Sequence, residues 1–163
     1  MALSIDPSTF RGALGRFATG ITVVTGLGDE SAPIGITVNS FTSVSLDPPL
    51  VLFCVDLSSP SCDIYANCSA FALNVLSEYQ ESISNNFARP LEDKFMGIEY
   101  DVWETGCPIL KDCLANLECR REAVYDAGDH KIIVGRVEKL AVSDVGHPLL
   151  YFRGKYARFG DVR

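Results

Sequence analysis

Apolar and polar positions follow two rhythms along this chain, and their order sets the expected architecture. In residues 7–17 the apolar side chains Phe10, Leu14 and Phe17 recur at three- to four-residue spacing, which predicts a short amphipathic helix ended by Gly20. Residues 21–25 are dense in β-branched side chains, and residues 26–33 supply turn chemistry before Ile34-Gly35-Ile36, so a hairpin is expected there. Residues 43–46 and 50–55 read as two further strands parted by Asp47-Pro48-Pro49, where the prolines cannot donate to a ladder. The second of these is apolar throughout, which predicts a central strand covered on both faces.

Ser58-Ser59-Pro60-Ser61 opens a predicted helix running to about Asn67, because serine is a favoured N-cap and proline suits the first turn. Residues 71–76 form the next expected strand and residues 78–87 a short helix. Residues 89–108 read as loop. Residues 114–125 and 131–142 are two long strand candidates joined by Asp126-Ala127-Gly128-Asp129, and residues 149–159 close the chain as an aromatic, strand-like segment. Many strands interrupted by short helices, without regular alternation, predict a mainly β barrel or sandwich with helical decoration.

No repeat, linker or low-complexity tract divides the 163 residues, so residues 1–163 are expected to form a single domain. The formal net charge of −7 argues against nucleic-acid or anionic-membrane partners, which need a basic footprint, but leaves room for a small anionic ligand. Residues 1–7 lack the basic stretch and apolar core of a signal peptide, and no apolar run nears the ~20 residues that span a bilayer. A cytoplasmic location is the expectation. Cys54, Cys62, Cys68, Cys107, Cys113 and Cys119 include no Cys-x-x-Cys pair, and only His130 and His147 stand beside them, so reduced thiols and no metal site are expected.

Candidate chemistry gathers in residues 35–45, Gly-Ile-Thr-Val-Asn-Ser-Phe-Thr-Ser-Val-Ser, where small polar groups interleave with apolar ones. Hydroxyls and an amide held against an apolar wall suit a ring system with a mixed polar edge. A strand end with ordinary Ser/Thr turn bonds carries the same residues. Ser59 and Ser61 stand at a helix start, where free N–H groups and partial positive charge favour a phosphate, although simple capping explains serines there as well. His130 follows a Gly-Asp turn at the head of a long strand. Asp129 and Glu122 have no neighbouring motif for hydrolytic work and read as solvated or locally bonded. No Gly-x-Gly-x-x-Gly follows a strand, so no Rossmann pocket is indicated.

The string Phe-Ala-Thr-Gly-Ile-Thr-Val-Val-Thr at 17–25, the segment from Gly35 to Val51, Gly128-Asp129-His130 and Tyr151-Phe152-Arg153-Gly154-Lys155-Tyr156 resemble, in order and spacing, the short-chain flavin reductases of two-component flavin monooxygenases. That resemblance implies an FMN-binding split β-barrel, mainly β with short helices and assembled as a homodimer. It would move hydride from NADH or NADPH to FMN or FAD, and the reduced flavin would then serve a separate monooxygenase. It further implies that Thr37, Val38, Asn39, Ser40, Ser43 and Val44 line the flavin, with Cys54 and Val55 on the neighbouring strand. Ser59 and Ser61 would hold its phosphate. Asn86, Phe87 and Arg89 would form the second flank. His130 would face the nicotinamide as the catalytic positioning residue, with Tyr156 and Phe152 beside it. The phosphate turn lacks the basic residue common in this family, leaving Arg89, Lys94 or Arg16 as the counter-charge. The alternatives are a flavin carrier or electron-transfer protein with little NAD(P)H activity, and a split-barrel oxidoreductase of the pyridoxamine phosphate oxidase type.

Overall fold

A computed structural model describes residues 5–160. In chain order the elements are α1 (Pro7–Leu14), β1 (Thr19–Gly20), β2 (Thr22–Leu27), β3 (Pro33–Val38), β4 (Thr42–Leu46), β5 (Pro49–Asp56), α2 (Cys62–Asn67) and β6 (Ala70–Val75). They continue with α3 (Glu81–Ala88), β7 (Tyr100–Val102), β8 (Pro108–Leu110), β9 (Ala115–Ala127), β10 (His130–Val142), β11 (Leu150–Phe152) and β12 (Lys155–Ala157).

Seven strands form one antiparallel sheet in the order β3-β2-β6-β9-β10-β5-β4, with β1-β11-β12 and β7-β8 as small satellites. The β9–β10 hairpin is its spine: Gly128 adopts φ 66°, the positive value that a type II′ hairpin requires at its first central residue. The chain then sets His130 opposite Asp56 on β5 and Ala127 on β9.

The core is a layer of Val24, Phe53, Tyr65, Phe71, Leu73 and Ile133, with Phe53 edge-on to both Tyr65 and Phe71. Fully buried Tyr65 donates its hydroxyl to the Val24 carbonyl at 2.8 Å, which seats α2 on β2. Asn74, also fully buried, donates to Val23 O and accepts from Leu110 N–H and the Asn116 amide, so β8 is fixed to the sheet through one side chain. Glu118 accepts from the Thr105 N–H and hydroxyl at 2.8 and 2.7 Å, anchoring the turn before β8.

Several sequence expectations need revision. The first helix stops at Leu14 and buries none of its side chains. β5 is not central: it lies next to the edge strand β4, and while Val51, Phe53 and Val55 enter the core, Leu52 and Cys54 on its other face are only half-buried. α2 begins at Cys62, so the Ser-Ser-Pro-Ser stretch is the turn before the helix instead of its first turn. The expected loop at 89–108 contains β7 and the start of β8, and the closing segment is a hairpin turned through Arg153 and Gly154 at φ 52° and 77°. The six cysteines are free thiols, four buried and Cys54 and Cys68 half-buried.

Candidate active site

A cleft of about 700 Å³ opens where the β3 edge, the end of β5, the turn before α2, the segment after α3 and the head of β10 meet. It gathers Thr37, Val38, Asn39, Ser40, Cys54, Val55, Ser59, Ser61, Phe87, Arg89 and His130, residues separated by up to 93 positions in sequence. All eleven were singled out from the sequence. Lys94, one of the three proposed counter-charges, lines it too.

The position of β3 at the end of the sheet explains why this wall can bind. One side of the strand pairs with β2, and the other side has no strand beside it. Gly35 directs its carbonyl outward to the Lys94 ammonium at 3.1 Å. Backbone polar groups of alternate strand residues point the same way, so Thr37 N–H and C=O also face the open edge, where a ligand can take up their hydrogen-bonding capacity. Apolar Ile36, Val38, Val55 and Phe87 supply the surface against which a flat ring can lie.

Ser40 closes the corner between β3 and β5. Its hydroxyl accepts the Cys54 N–H at 2.9 Å, so the side chain pins the chain leaving β3 against β5. Burial raises the Cys54 thiol above its usual range, with the Ser40 hydroxyl partly opposing it, so this thiol is protonated at neutral pH. Thr37 spends its hydroxyl on Ser84 O at 2.7 Å, tying β3 to α3, and so reaches the cleft through its backbone. Asn39, exposed at the end of β3, makes no side-chain hydrogen bond to other described residues.

The turn before α2 is shaped by Asp56, whose carboxylate accepts Ser58 N–H at 2.7 Å. The Ser58 hydroxyl and N–H hold that carboxyl below its ordinary range. Ser61 occupies the N-cap position of α2 without a side-chain capping bond, and Ser59 accepts only a long 3.4 Å contact from Ser61 N–H. Both hydroxyls therefore remain available to a ligand. Across the cleft Arg89 projects without an ion pair among the described residues, while Lys94 is braced by Gly35 O and Phe87 O, and burial lowers its pKa. A planar heteroaromatic ring carrying a phosphate fits this donor set: an apolar wall and strand-edge amides for the ring, and serine hydroxyls with a guanidinium for the anion.

His130 stands at the mouth. Its Nδ1 lies 2.7 Å from the Asp129 carboxylate, which can only accept, so Nδ1–H donates there and Nε2 is left without a partner among the described residues. Asp129 O in turn accepts Leu57 N–H at 2.9 Å, fixing the β9–β10 turn against the end of β5.

Six singled-out residues lie outside the cleft wall. Ser43 and Val44 are exposed on the edge strand β4. The Asn86 amide turns away to donate to Lys94 O, so Asn86 positions the flank without lining it. Tyr156 shares a 2.8 Å hydrogen bond with Ser84, and Phe152 lies under Arg153, both on the β11–β12 hairpin behind α3. Arg16 belongs to a different pocket altogether. Asp56, Leu91 and Glu92 join the wall although no sequence pattern marked them, because only the tertiary approach of β5 and the segment after α3 brings them there.

Residues 14–160 match a family model described as "Flavin reductase like domain". A flavin reductase of Pseudomonas putida is 40% identical over 159 residues, covering 98% of this chain and 94% of its own. The reductase subunit HsaB of a flavin-dependent monooxygenase from Rhodococcus jostii is 42% identical over 95% of this chain and 79% of its own. The chain spans about half, 48%, of a 48% identical Rhizobium meliloti protein named "Probable flavin reductase". Among solved structures, the NADH:FAD oxidoreductase SgcE6 of Streptomyces globisporus, bound to NAD and FAD fragments, superposes with TM-score 0.89 at 36% identity, over 99% of this chain and all of that one.

Proposed function

The chain belongs to the flavin reductase-like family, and from that premise we propose that it reduces FMN or FAD with NADH or NADPH and releases the reduced flavin to a partner monooxygenase. The observation that carries the reading is the convergence of the β3 edge, the Ser59–Ser61 turn, Arg89 and His130 on one cleft. Relatives named FMN reductase (NADH) and reductase subunits of monooxygenases support the reaction and its partner.

When bound, the flavin supplies the hydride-accepting ring. The chain's own part is binding and alignment, since hydride passes directly between the two cofactors. The outward N–H and C=O of Thr37 and the Asn39 amide hold the polar edge of the ring. Ser40 keeps β3 and β5 at a fixed separation, and Val38, Val55 and Phe87 form the surface beneath it. Ser59, Ser61 and Arg89 take the phosphate, Arg89 supplying the counter-charge that the turn itself lacks. His130, at the mouth of the cleft, would orient the nicotinamide over the flavin as a positioning residue.

The active form in this reading is a homodimeric split barrel in the cytoplasm. Phe10, Leu14 and Phe17 expose 52%, 58% and 77% of their surfaces, and Leu46 on the edge strand 95%, an apolar area that a second copy would cover. Ser43 and Val44, exposed on β4, would then act from that interface, while Phe152 and Tyr156 would reach the nicotinamide side from the β11–β12 hairpin. The test is anaerobic absorbance of protein with FMN or FAD, followed after addition of NADH or NADPH. Bleaching that is slowed by His130→Ala and by Asn39→Ala is the expected result. Tight flavin binding with no bleaching by either nucleotide would refute the reductase reading and favour a flavin carrier.

A further inference from the structure

The chain pairs most of its surface cations. Lys111, Arg120, Lys131, Arg136 and Lys139 each meet a carboxylate, and Arg121 and Lys94 donate to carbonyls. Three arginines depart from this rule together. Arg11, Arg16 and Arg153 line a pocket of about 320 Å³ with Gly12, Gly15 and Gly154, and no carboxylate lines it. Among the described residues none of these three guanidinium groups makes an ion pair or a hydrogen bond.

The pocket is built, and its walls are fixed. Arg153 N–H donates to Gly15 O at 2.8 Å, joining the end of α1 to the β11–β12 turn. A Cβ at Gly15 would lie 3.5 Å from Arg153 Cα and 3.3 Å from Arg11 O, so glycine permits the close approach. Arg153 is held at φ 52°, with its guanidinium 5.0 Å from the Phe152 ring centroid. Carbonyls at a helix end would repel an anion, but those of Arg11, Ala13, Leu14 and Gly15 are each taken by a backbone N–H. Favourable interaction with a helix C-terminus accounts for Arg11 and Arg16. It does not account for Arg153, which arrives from the far end of the sequence and adds a third like charge.

We propose that this pocket is a phosphate-binding site separate from the flavin cleft, taking either free phosphate or the phosphate of a nucleotide's adenosine half. In a chain of net charge −7, three guanidiniums unpaired among the described residues around a glycine-floored concavity repel one another until an anion joins them. Planar donor forks suit phosphate oxygens. The glycines leave room for a group of that size and admit no side chain of their own. The site lies on the same flank as α3, because Tyr156, on the strand leaving the turn, is bonded to Ser84 one helical turn before Phe87 of the cleft.

Inorganic pyrophosphate, titrated calorimetrically into the full chain at low salt, tests this. Wild type is expected to bind it, more weakly as salt is added. The Arg16→Gln/Arg153→Gln double variant should bind it roughly tenfold or more weakly, since charge-assisted hydrogen bonds are lost. FMN affinity, read by fluorescence quenching, should be retained. Equal pyrophosphate binding in both proteins, or its loss only in Arg89→Gln, would place the anion elsewhere and overturn the proposal, and so would loss of FMN binding in a correctly folded double variant. The source is read from the same variant: weakened binding of FAD, NADH or NADPH with FMN unchanged assigns a nucleotide phosphate, whereas no change with any of the four assigns free phosphate. Pyrophosphate alone is the probe, so failure of NADH to bleach FMN would refute the flavin reading and leave this site standing.

Discussion

Gly35 is where the fold and the cleft are most tightly coupled, and Gly35→Ala separates their contributions. A Cβ there would fall 2.5 Å from two ring carbons of Phe87, with Phe95 a further 3.5 Å neighbour. Phe87 has little room to retreat: it is 1% exposed and stacked edge-on against Phe95, which is edge-on in turn to Tyr100. Relieving the overlap needs about 1 Å of ring or strand movement, and overpacking of this kind costs about 1–3 kcal/mol. For a chain of this length that lowers Tm by roughly 2–12 °C. Because Phe87 also floors the cleft, FMN affinity should fall in the same variant. Gly135→Ala is the matched control: its Cβ would collide with Phe71 and press on Cys119, in the core and away from the cleft. It should destabilise comparably while folded protein keeps its FMN affinity. Thermal melts and fluorescence titrations of the two variants decide the matter. A Gly35→Ala protein that melts like wild type, or two variants that lose flavin affinity equally, would refute the reasoning.

Three further outcomes follow from the site and the core. Ser40→Ala leaves the half-buried Cys54 N–H without its acceptor, which should cost about 1–3 kcal/mol in urea denaturation and weaken FMN binding as the β3–β5 corner loosens. Asp129→Asn removes the charge that holds the Nδ1 proton of His130; because Asp129 is largely exposed, kcat/KM for NADH should drop by no more than roughly fivefold, with FMN affinity unchanged. Burial pushes the thiols of Cys113 and Cys119 up to about 11 and about 12, so unfolded chain gives up these protons first as pH rises past about 9; stability should fall above that pH by up to ~1.4 kcal/mol per pH unit for each thiol, and a urea midpoint unchanged between pH 8 and pH 10 would contradict it.

What the sequence made legible was whatever local chemistry decides. Runs of β-branched residues became β2 and β9–β10, Gly-Asp became the hairpin turn, and the 7–17 periodicity became α1, which stops at Leu14. The cleft residues on β3 and β5 were equally readable, because small polar side chains between apolar ones are unusual in a strand. Failures came where a neighbour decides. The continuous apolar run of β5 suggested burial on both faces, yet the strand lies beside an edge and its second face is only half-covered. Serines before α2 suggested caps, yet Ser61 makes no capping bond and the turn is organised by Asp56, which no motif had marked. Thr37 lies in the cleft as expected, but its hydroxyl belongs to Ser84, and nothing in the spacing of residues 37 and 84 could announce that pairing.

The two pockets share a physical logic that bears on how such a chain is put together. An open sheet edge is ordinarily a hazard, because unpaired backbone groups invite a strand from another molecule. Here β3 carries Gly35, whose outward carbonyl is bridged by Lys94, and α3 stands across the same edge through the Thr37–Ser84 bond. The edge is thus covered at its middle and left open only toward Asn39, where a flat ligand can complete it and another strand cannot fit past Phe87 and Lys94. Cations obey a parallel rule: Arg120, Lys131 and Arg136 are matched by carboxylates across the β9–β10 pair, and among the described residues unmatched arginines are left where a cavity adjoins them, Arg89 at the cleft and Arg11, Arg16 and Arg153 at the turn. Unsatisfied hydrogen-bonding capacity and unsatisfied charge therefore coincide with concave surface, and that coincidence is the physical ground on which both binding sites are proposed.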